Sequence, residues 1–348
     1  MKIVIVGNGL AGMLLAERLA ELKPTIVAPE ESNAPVTALC HPFPGRSVQP
    51  HPLLMAALDS ACEQYEAWHR RFPLLCRPIK MHRPLVGKGG NRLLSSAEKY
   101  ETFYADSRVN IQKEQSILPD KDLEFQPKIG TMSLRYTPAF AIDLQALIRQ
   151  RQSQLLMQGC PSIKSSLKSI GEYQITLQNG QTLDFDHLFL AMGPHIKSFF
   201  PQLNLIEEGG SLLHLAELKH QDAYSINGVH LTPNAKGESV VGSTRWSGTP
   251  PSEKTCREAL AHRLNGILKR NEPLKTGDIW RGNRSINPQD RLPICGPVTN
   301  FRGVSILGAL GNKGLLWGPL SAKHAVNRIL KNEPIPEAIS INRMKIIQ

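Results

Sequence analysis

The chain has 348 residues, 41% of them hydrophobic, which is enough for a substantial core in two domains and too apolar for a disordered polymer. Its 41 basic and 30 acidic residues leave a formal charge of +11, spread without a run of five or six like charges, a balance that suits an anionic partner without identifying one. Six scattered cysteines with no Cys-x-x-Cys pair argue against a disulfide framework or a metal site and for a cytoplasmic setting, and the lack of any apolar run of about twenty residues argues against a membrane span.

Residues 2–6 read as a short strand, too brief for a signal peptide before the glycine loop Gly7-Asn8-Gly9-Leu10-Ala11-Gly12. An amphipathic helix follows through Met13, Leu14, Leu15, Leu19 and Leu22, and residues 25–28 supply a second strand beyond Pro24, completing a βαβ unit. A Pro- and His-rich loop over 35–52 leads to a helix over 53–70. Residues 77–131 are mixed and include the apparent loop Gly87-Lys88-Gly89-Gly90, where a second domain begins. A helix over 143–158 has Asp143 as its N-cap and Gly159 as its stop. Asn179-Gly180 predicts a hairpin turn between strands at 172–178 and 181–185, and a strand over 187–192 ends at Gly193-Pro194. After another mixed stretch with strands near 228–232 and 238–243 and a helix over 252–270, the chain closes with a strand over 303–307, a second glycine loop over 308–314 and a helix over 316–330.

The first loop follows a strand and opens a helix, which predicts dinucleotide binding. Gly7 permits the tight turn, Gly9 a close approach of backbone to pyrophosphate, and Gly12 close packing of helix on strand, while the N–H groups of Leu10 and Ala11 lie at the positive end of the helix. Glu30 and Glu31 follow Pro29 at the end of the second strand, and Glu30 is the residue assigned to the adenosine ribose; no basic residue nearby suits a 2′-phosphate. The fold class expected is α/β, a Rossmann-like domain with a second, mixed-sheet domain.

Further blocks are more specific. They are Val36-Thr37-Ala38-Leu39-Cys40-His41-Pro42-Phe43, the strand end at Gly193-Pro194, Trp280-Arg281-Gly282-Asn283-Arg284 leading to Asp290-Arg291-Leu292-Pro293-Ile294-Cys295-Gly296-Pro297, and the closing loop Gly308 to Pro319. Together they resemble the D-amino-acid-oxidase family of FAD-dependent oxidoreductases, which includes glycine oxidases, sarcosine oxidases and the oxidase half of MnmC-type tRNA-modifying enzymes. The resemblance implies bound FAD, with a discontinuous FAD-binding domain over 1–76, 136–204 and 286–348 and a substrate domain over 77–135 and 205–285. It places Thr37, Ala38 and Gly193 against the dinucleotide, with His41 near the flavin ring. The N–H groups of Gly311, Asn312, Lys313, Gly314 and Leu315 would face the flavin's pyrimidine edge, and Arg284 and Lys313 would hold a substrate's acid group. Asp290 is expected to fix its loop by hydrogen bonding. Cys40 and Cys295 are the thiols considered for covalent flavin attachment, though neither sits in an attachment motif.

The activity implied is oxidation of a C–N bond in an amine or amino-acid-like substrate by hydride transfer to flavin N5. Two alternatives stand beside it: oxidation of the carboxymethylaminomethyl group of a tRNA wobble uridine, which the basic charge suits, and a non-catalytic flavin- or nucleotide-binding protein. The far C-terminal glycine loop has no role in an NAD-dependent dehydrogenase.

Overall fold

The computed structural model describes every residue except 30–32, 46, 47, 49, 106–108, 115–131, 270–276 and 345–348. Strands β1 to β18 and helices α1 to α8 are numbered in chain order. The chain divides into two compact units, the first made of Met1–Ala34, Gln145–Glu208 and Asn283–Gln348, the second of Pro35–Leu144 and Gly209–Gly282.

The first unit is built on a sheet whose central strand, β1 (Ile3–Val6), consists of four buried β-branched residues, a composition that suits a strand covered on both faces. β1 pairs in parallel with β2 (Thr25–Ala28) on one side and with β11 (His187–Leu190) on the other. Beyond β2 lies parallel β7 (Ser162–Lys164); beyond β11 lies parallel β18 (Val304–Gly308), and antiparallel β17 (Ile294–Pro297) forms the edge. The strand order is therefore β17-β18-β11-β1-β2-β7. The chain moves outward from β1 to β7 and then resumes at β11 on the opposite side of β1, so the sheet's topological switch lies between β1 and β11. In such sheets that is where a crevice opens beyond the carboxyl ends of the strands.

Helix α1 (Leu10–Arg18) crosses from β1 to β2, and α8 (Gly314–Lys331) packs beside it. The glycines of α8 allow that approach: a Cβ on Gly318 would lie 3.0 Å from Leu14 Cδ1, and one on Gly314 would lie 3.5 Å from Leu10 Cδ2. Helices α5 (Leu144–Met157) and α6 (Ile196–Phe199) complete the unit's helices, and a small antiparallel sheet of β8 (Leu167–Ile170), β9 (Gln174–Leu177) and β10 (Thr182–Asp184) carries the expected hairpin, with Gly180 at φ +85° in its turn.

The second unit centres on a nine-stranded mixed sheet. Its strands are β3 (Ala38–Cys40), β4 (Cys76–Pro84), β5 (Asn110–Glu114), β6 (Ser133–Ile142), β12 (Ile206–Lys219), β13 (Ala223–Ile226), β14 (Val229–Pro233), β15 (Glu238–Gly242) and β16 (Ile279–Ile286). Their order is β16-β12-β15-β14-β13-β4-β6-β3, with β5 paired to β6. Leu213, Leu215, Ile226, Leu231 and Val241 of this sheet form one core with Leu260 and Leu264 of α7 (Glu253–Asn265), whose N-cap Ser252 accepts from Thr255 N at 3.1 Å. Helices α2 (Leu54–Arg71), α3 (Gly87–Lys99) and α4 (Glu101–Ala105) belong to the same unit.

Several sequence expectations shift. The glycines at 87–90 form the first turn of α3 rather than a loop, because Gly90 packs on the Leu85 backbone, where a Cβ would come within 2.5 Å, and Leu93 and Ala97 give the helix a buried face. α7 stops at Asn265, short of the expected residue 270, while α8 begins at Gly314, two residues early. Residues 35–76 and 136–144, expected with the dinucleotide domain, lie in the second unit, where β3, β4 and β6 share a sheet and α2 packs on β4. Asp143, expected as an N-cap, accepts a hydrogen bond from Thr37 Oγ1 at 2.9 Å and one from Ala235 N at 2.9 Å, tying three segments of that unit together.

His187 opens β11 with its ring tilted on Phe189, 4.8 Å between centroids, and its Nε2 3.1 Å from Ser305 Oγ on β18. Burial pushes its imidazole down to about 4. The unfolded chain, titrating at about 6.5, therefore binds the extra proton between those values, and stability that is complete above about pH 6.5 is lost as pH falls toward 4. His187→Gln keeps a polar side chain without the titration and is expected to flatten the fall of melting temperature over that window. A slope equal to that of the unaltered protein, read by circular dichroism melts at stepped pH, refutes the assignment.

Candidate dinucleotide site and its neighbours

Three strand ends meet at the carboxyl edge of the first unit's sheet. Gly7, at φ +113°, ends β1 and donates its N–H to Val27 O at 2.8 Å; a Cβ here would stand 2.2 Å from Ala191 O at the end of β11. Gly12 presses on the same loop from inside α1, where a Cβ would stand 1.9 Å from Gly7 O. Both clashes are with backbone, so no side-chain movement relieves them. Gly9 is the N-cap of α1, with no side-chain cap hydrogen bond and no acidic residue in the first turn. The first intrahelical bond of this turn runs from Met13 N to Gly9 O at 2.9 Å, so the amides at Leu10, Ala11 and Gly12 precede the helical ladder and bring the positive end of the dipole to the sheet edge. That arrangement fits the pyrophosphate of FAD. Glu30 lies outside the described residues. Gly193, at φ +56°, turns the chain beyond β11, beside the same edge.

The second glycine loop follows β18 in this unit. Ala309 at φ +53° and Gly311 at φ +54° bend it, and Gly311 N donates to Ser285 O at 3.0 Å, which fastens the loop to the strand carrying Arg284. Lys313 N is likewise taken by Leu310 O at 3.1 Å, so of the expected flavin-facing amides these two are engaged by the protein's own carbonyls. Asn312 and Gly314 keep amides without an acceptor among the described residues, and Leu315 follows them in the first turn of α8. Lys313 is the N-cap of α8, half-buried; burial lowers its affinity for a proton, Asp290 opposing this and Arg291 reinforcing it.

Arg284 does not present a bare guanidinium. Its Nε at 3.0 Å and Nη2 at 2.6 Å both donate to Glu208 Oε2, a carboxylate only 11% exposed. A substrate carboxylate reaching Arg284 would have to share it with Glu208. This pairing had no sequence signal, since 76 positions separate the partners. Asp290 accepts from Asn287 Nδ2 at 2.9 Å, Leu292 N at 2.8 Å and Arg343 Nε at 3.0 Å, which makes it a loop anchor held partly from near the C-terminus.

Thr37, Ala38 and His41 lie in the second unit. The Thr37 side chain is buried and committed to Asp143, and Ala38 pairs with Ile142 at the start of β3. His41 is 6% exposed, stacked 6.5 Å from the Tyr136 ring at an interplanar angle of 6°, and burial together with the Arg83 charge pushes its imidazole well below the usual histidine range. Cys40 and Cys295 are free and fully enclosed; burial raises the Cys40 thiol, and raises Cys295 to about 12, so neither is a ready thiolate for flavin attachment.

Gly12→Ala is expected to cut the flavin that copurifies with the protein by about tenfold or more, because α1 must leave the loop it cradles. Gly89→Ala, where an added Cβ meets nothing within 4 Å, should retain its flavin. The ratio of visible to ultraviolet absorbance of the two purified variants decides the matter, and equal ratios would sink the assigned loop.

A family model described as FAD dependent oxidoreductase, DAO, matches residues 2–328. No curated protein sequence matches the chain. Among solved structures, glycine oxidase from Geobacillus kaustophilus is 15% identical with a TM-score of 0.80, the match covering 100% of this chain and 98% of that one. Glycine oxidase from Bacillus cereus is 14% identical at TM-score 0.78, with 96% of each chain covered. L-Amino acid deaminase from Proteus myxofaciens is 14% identical at TM-score 0.77, covering 99% of this chain and 93% of that one. Among the described residues no helix is long and apolar enough to cross a membrane. The match of the family model over nearly the whole chain, on a sheet edge whose glycine loops fit the cofactor, identifies the protein as an FAD-dependent oxidoreductase of the DAO family.

Proposed function

We propose that the protein oxidises the C–N bond of a small amine or amino acid. FAD supplies the two-electron acceptor: a hydride leaves the carbon beside nitrogen for flavin N5, and water hydrolyses the resulting imine to a carbonyl compound and free amine. The observation that carries this reading is the pair of glycine loops at one sheet edge of the first unit, Gly7 to Gly12 opening α1 and Gly308 to Gly314 opening α8. The likeness of the fold to glycine oxidases and an L-amino acid deaminase supports amines as the substrate class.

The protein's own contribution is to hold, orient and exclude water. In this reading the first unit is the FAD-binding domain and the second the substrate domain. The amides of Leu10, Ala11 and Gly12 bind the pyrophosphate, and Gly193 lets the chain pass close to the dinucleotide. The amides at Asn312 and Gly314 face the pyrimidine edge, where the positive end of α8 favours charge developing on reduction. Glu30 binds the ribose. Thr37 and Ala38 serve through their backbone, since the Thr37 hydroxyl is spent on Asp143. Lys313 meets an acid group as a point charge, and Arg284 acts as a pair with Glu208 that keeps the strand beside the loop. His41, neutral through burial, orients neighbouring groups rather than carrying charge.

Anaerobic addition of glycine, sarcosine or larger amino acids to the holoprotein is expected to bleach the flavin band near about 450 nm, with return on admission of air. Full flavin loading with no bleaching by any small amine would overturn this reading and direct attention to a macromolecular substrate such as tRNA, testable by the same bleaching with bulk tRNA.

A further inference from the structure

One face of the second unit's sheet carries a charge that nothing in the described protein answers. Register fixes the group: Arg83 stands opposite Leu134 and Met81 opposite Tyr136 across β4 and β6, while Ala223 stands opposite Met81 and Ser225 opposite His230 across the neighbouring strands. Paired residues and residues two apart share a face, so Arg83, Tyr136, Ser225 and His230 project together from an otherwise apolar layer containing Met81 and Leu134. The chain after β3 covers them: His41 stacks on Tyr136, and Phe43 meets the same ring edge-on at 5.3 Å.

Arg83 is 9% exposed. It donates to Gly45 O at 2.8 Å and, at the limit of hydrogen bonding, to Phe43 O at 3.5 Å, while its Nε is buried without a partner. Among the described residues no carboxylate pairs with it. The neighbouring polar groups are not anionic either. His41 has a buried Nδ1 without a partner, His230 is pushed to about 4 by burial and by Arg83, and the Tyr136 hydroxyl lies beside the guanidinium but outside bonding geometry, with burial raising it to about 12. A guanidinium keeps its charge in any such setting, and a buried charge is ordinarily paired. The group contrasts with Arg284, Arg151 and Arg343, each of which meets a carboxylate.

We propose that Arg83, with His41 and the Tyr136 hydroxyl as neutral donors, forms a site in the second unit for a small carboxylate, and that this site selects amino acids over amines lacking an acid group. The selection part rests on the amine-oxidase reading; the anion site does not. A planar carboxylate matches the guanidinium fork, and a neutral imidazole carrying its proton on Nδ1 donates a further bond without adding charge.

Acetate, a carboxylate that cannot be oxidised at a C–N bond, is titrated calorimetrically into the flavin-loaded protein, and the titration is repeated with Arg83→Met and Arg83→Lys. Binding is expected in the unaltered protein, weakened about tenfold or more in Arg83→Met and less in Arg83→Lys, whose point charge lacks the fork. Absence of acetate binding in the unaltered protein, or equal affinity in the Arg83 variants, overturns the site. Should Arg83→Met fail to fold, Arg83→Lys decides, with flavin content and melting temperature as controls. Selection is read separately: kcat/KM for sarcosine should fall far more than that for dimethylamine in Arg83→Lys, and a uniform fall in both assigns Arg83 to loop support and overturns the selective role. Acetate binding that depends on Arg83 in a protein whose flavin no amine bleaches would leave the anion site standing and remove the oxidase reading.

Discussion

The first unit depends on one backbone approach, that of the Gly7 loop to the end of β11 on one side and to the first turn of α1 on the other. Ala191 O and Gly7 O occupy the space that Cβ atoms at Gly7 and Gly12 would fill, so the strand end, the turn and the helix start are locked by atoms that cannot rotate away. The consequence is chemical as well as steric. The N-terminus of α1 is brought to the topological switch of the sheet with its first-turn amides outside the helical ladder and no side chain capping them. An anionic group placed there gains hydrogen bonds and a favourable dipole without any basic side chain. The acceptor for those amides is the cofactor's pyrophosphate, so the same geometry that closes the βα turn prepares the site.

What the sequence made legible follows from how local each signal is. The glycine loop, the strands around it and the Asn179-Gly180 hairpin depend on residues a few positions apart, and their physics is complete within a short window. The 87–90 segment misled because a glycine-rich run reads as a loop until its packing on the Leu85 backbone is known. The association of residues 35–76 and 136–144 with the second unit was hidden for a related reason: β3, β4 and β6 are defined by pairing over tens of residues, not by composition. Side-chain roles were least legible of all. Thr37 is consumed by Asp143 across 106 positions, and Arg284 by Glu208 across 76. Neither partner announces itself in the local sequence, so a motif that places an arginine correctly still leaves its state of charge undetermined.

Charge compensation distinguishes the two units. In the first, Arg151 meets Glu17, Arg284 meets Glu208 and Arg343 meets Asp290, the carboxylates nearly enclosed in the first two cases. Pairs of this kind contribute little net stability, because desolvation offsets their attraction, but each leaves a costly bare charge if one member is removed. They fix segments remote in sequence, such as residue 343 against the loop at 290, and leave the surroundings of the dinucleotide loops close to neutral in side-chain terms. The first unit therefore addresses its ligand chiefly through backbone amides and helix termini.

The second unit is organised differently. Its polar groups are set by sheet register into two opposite faces: Asp222 and His82, in contact at 3.2 Å with His82 stacked on Tyr224, lie on one, and Arg83, Ser225 and His230 on the other. On the first of these faces an acid and a base answer each other. On the second, a guanidinium is held by main-chain carbonyls and surrounded by two imidazoles that burial keeps neutral. Carbonyl oxygens orient a cation without cancelling it, so the field on that face stays positive whatever the pH between the histidines' depressed range and that of arginine. A sheet strand is a rigid carrier for such a charge, because moving Arg83 by one residue would send it to the opposite face and place His82 in the apolar layer. The division of labour thus follows from backbone geometry in both units: one aims amides at a bound anion, and the other fixes in place a charge whose partner the described protein does not supply.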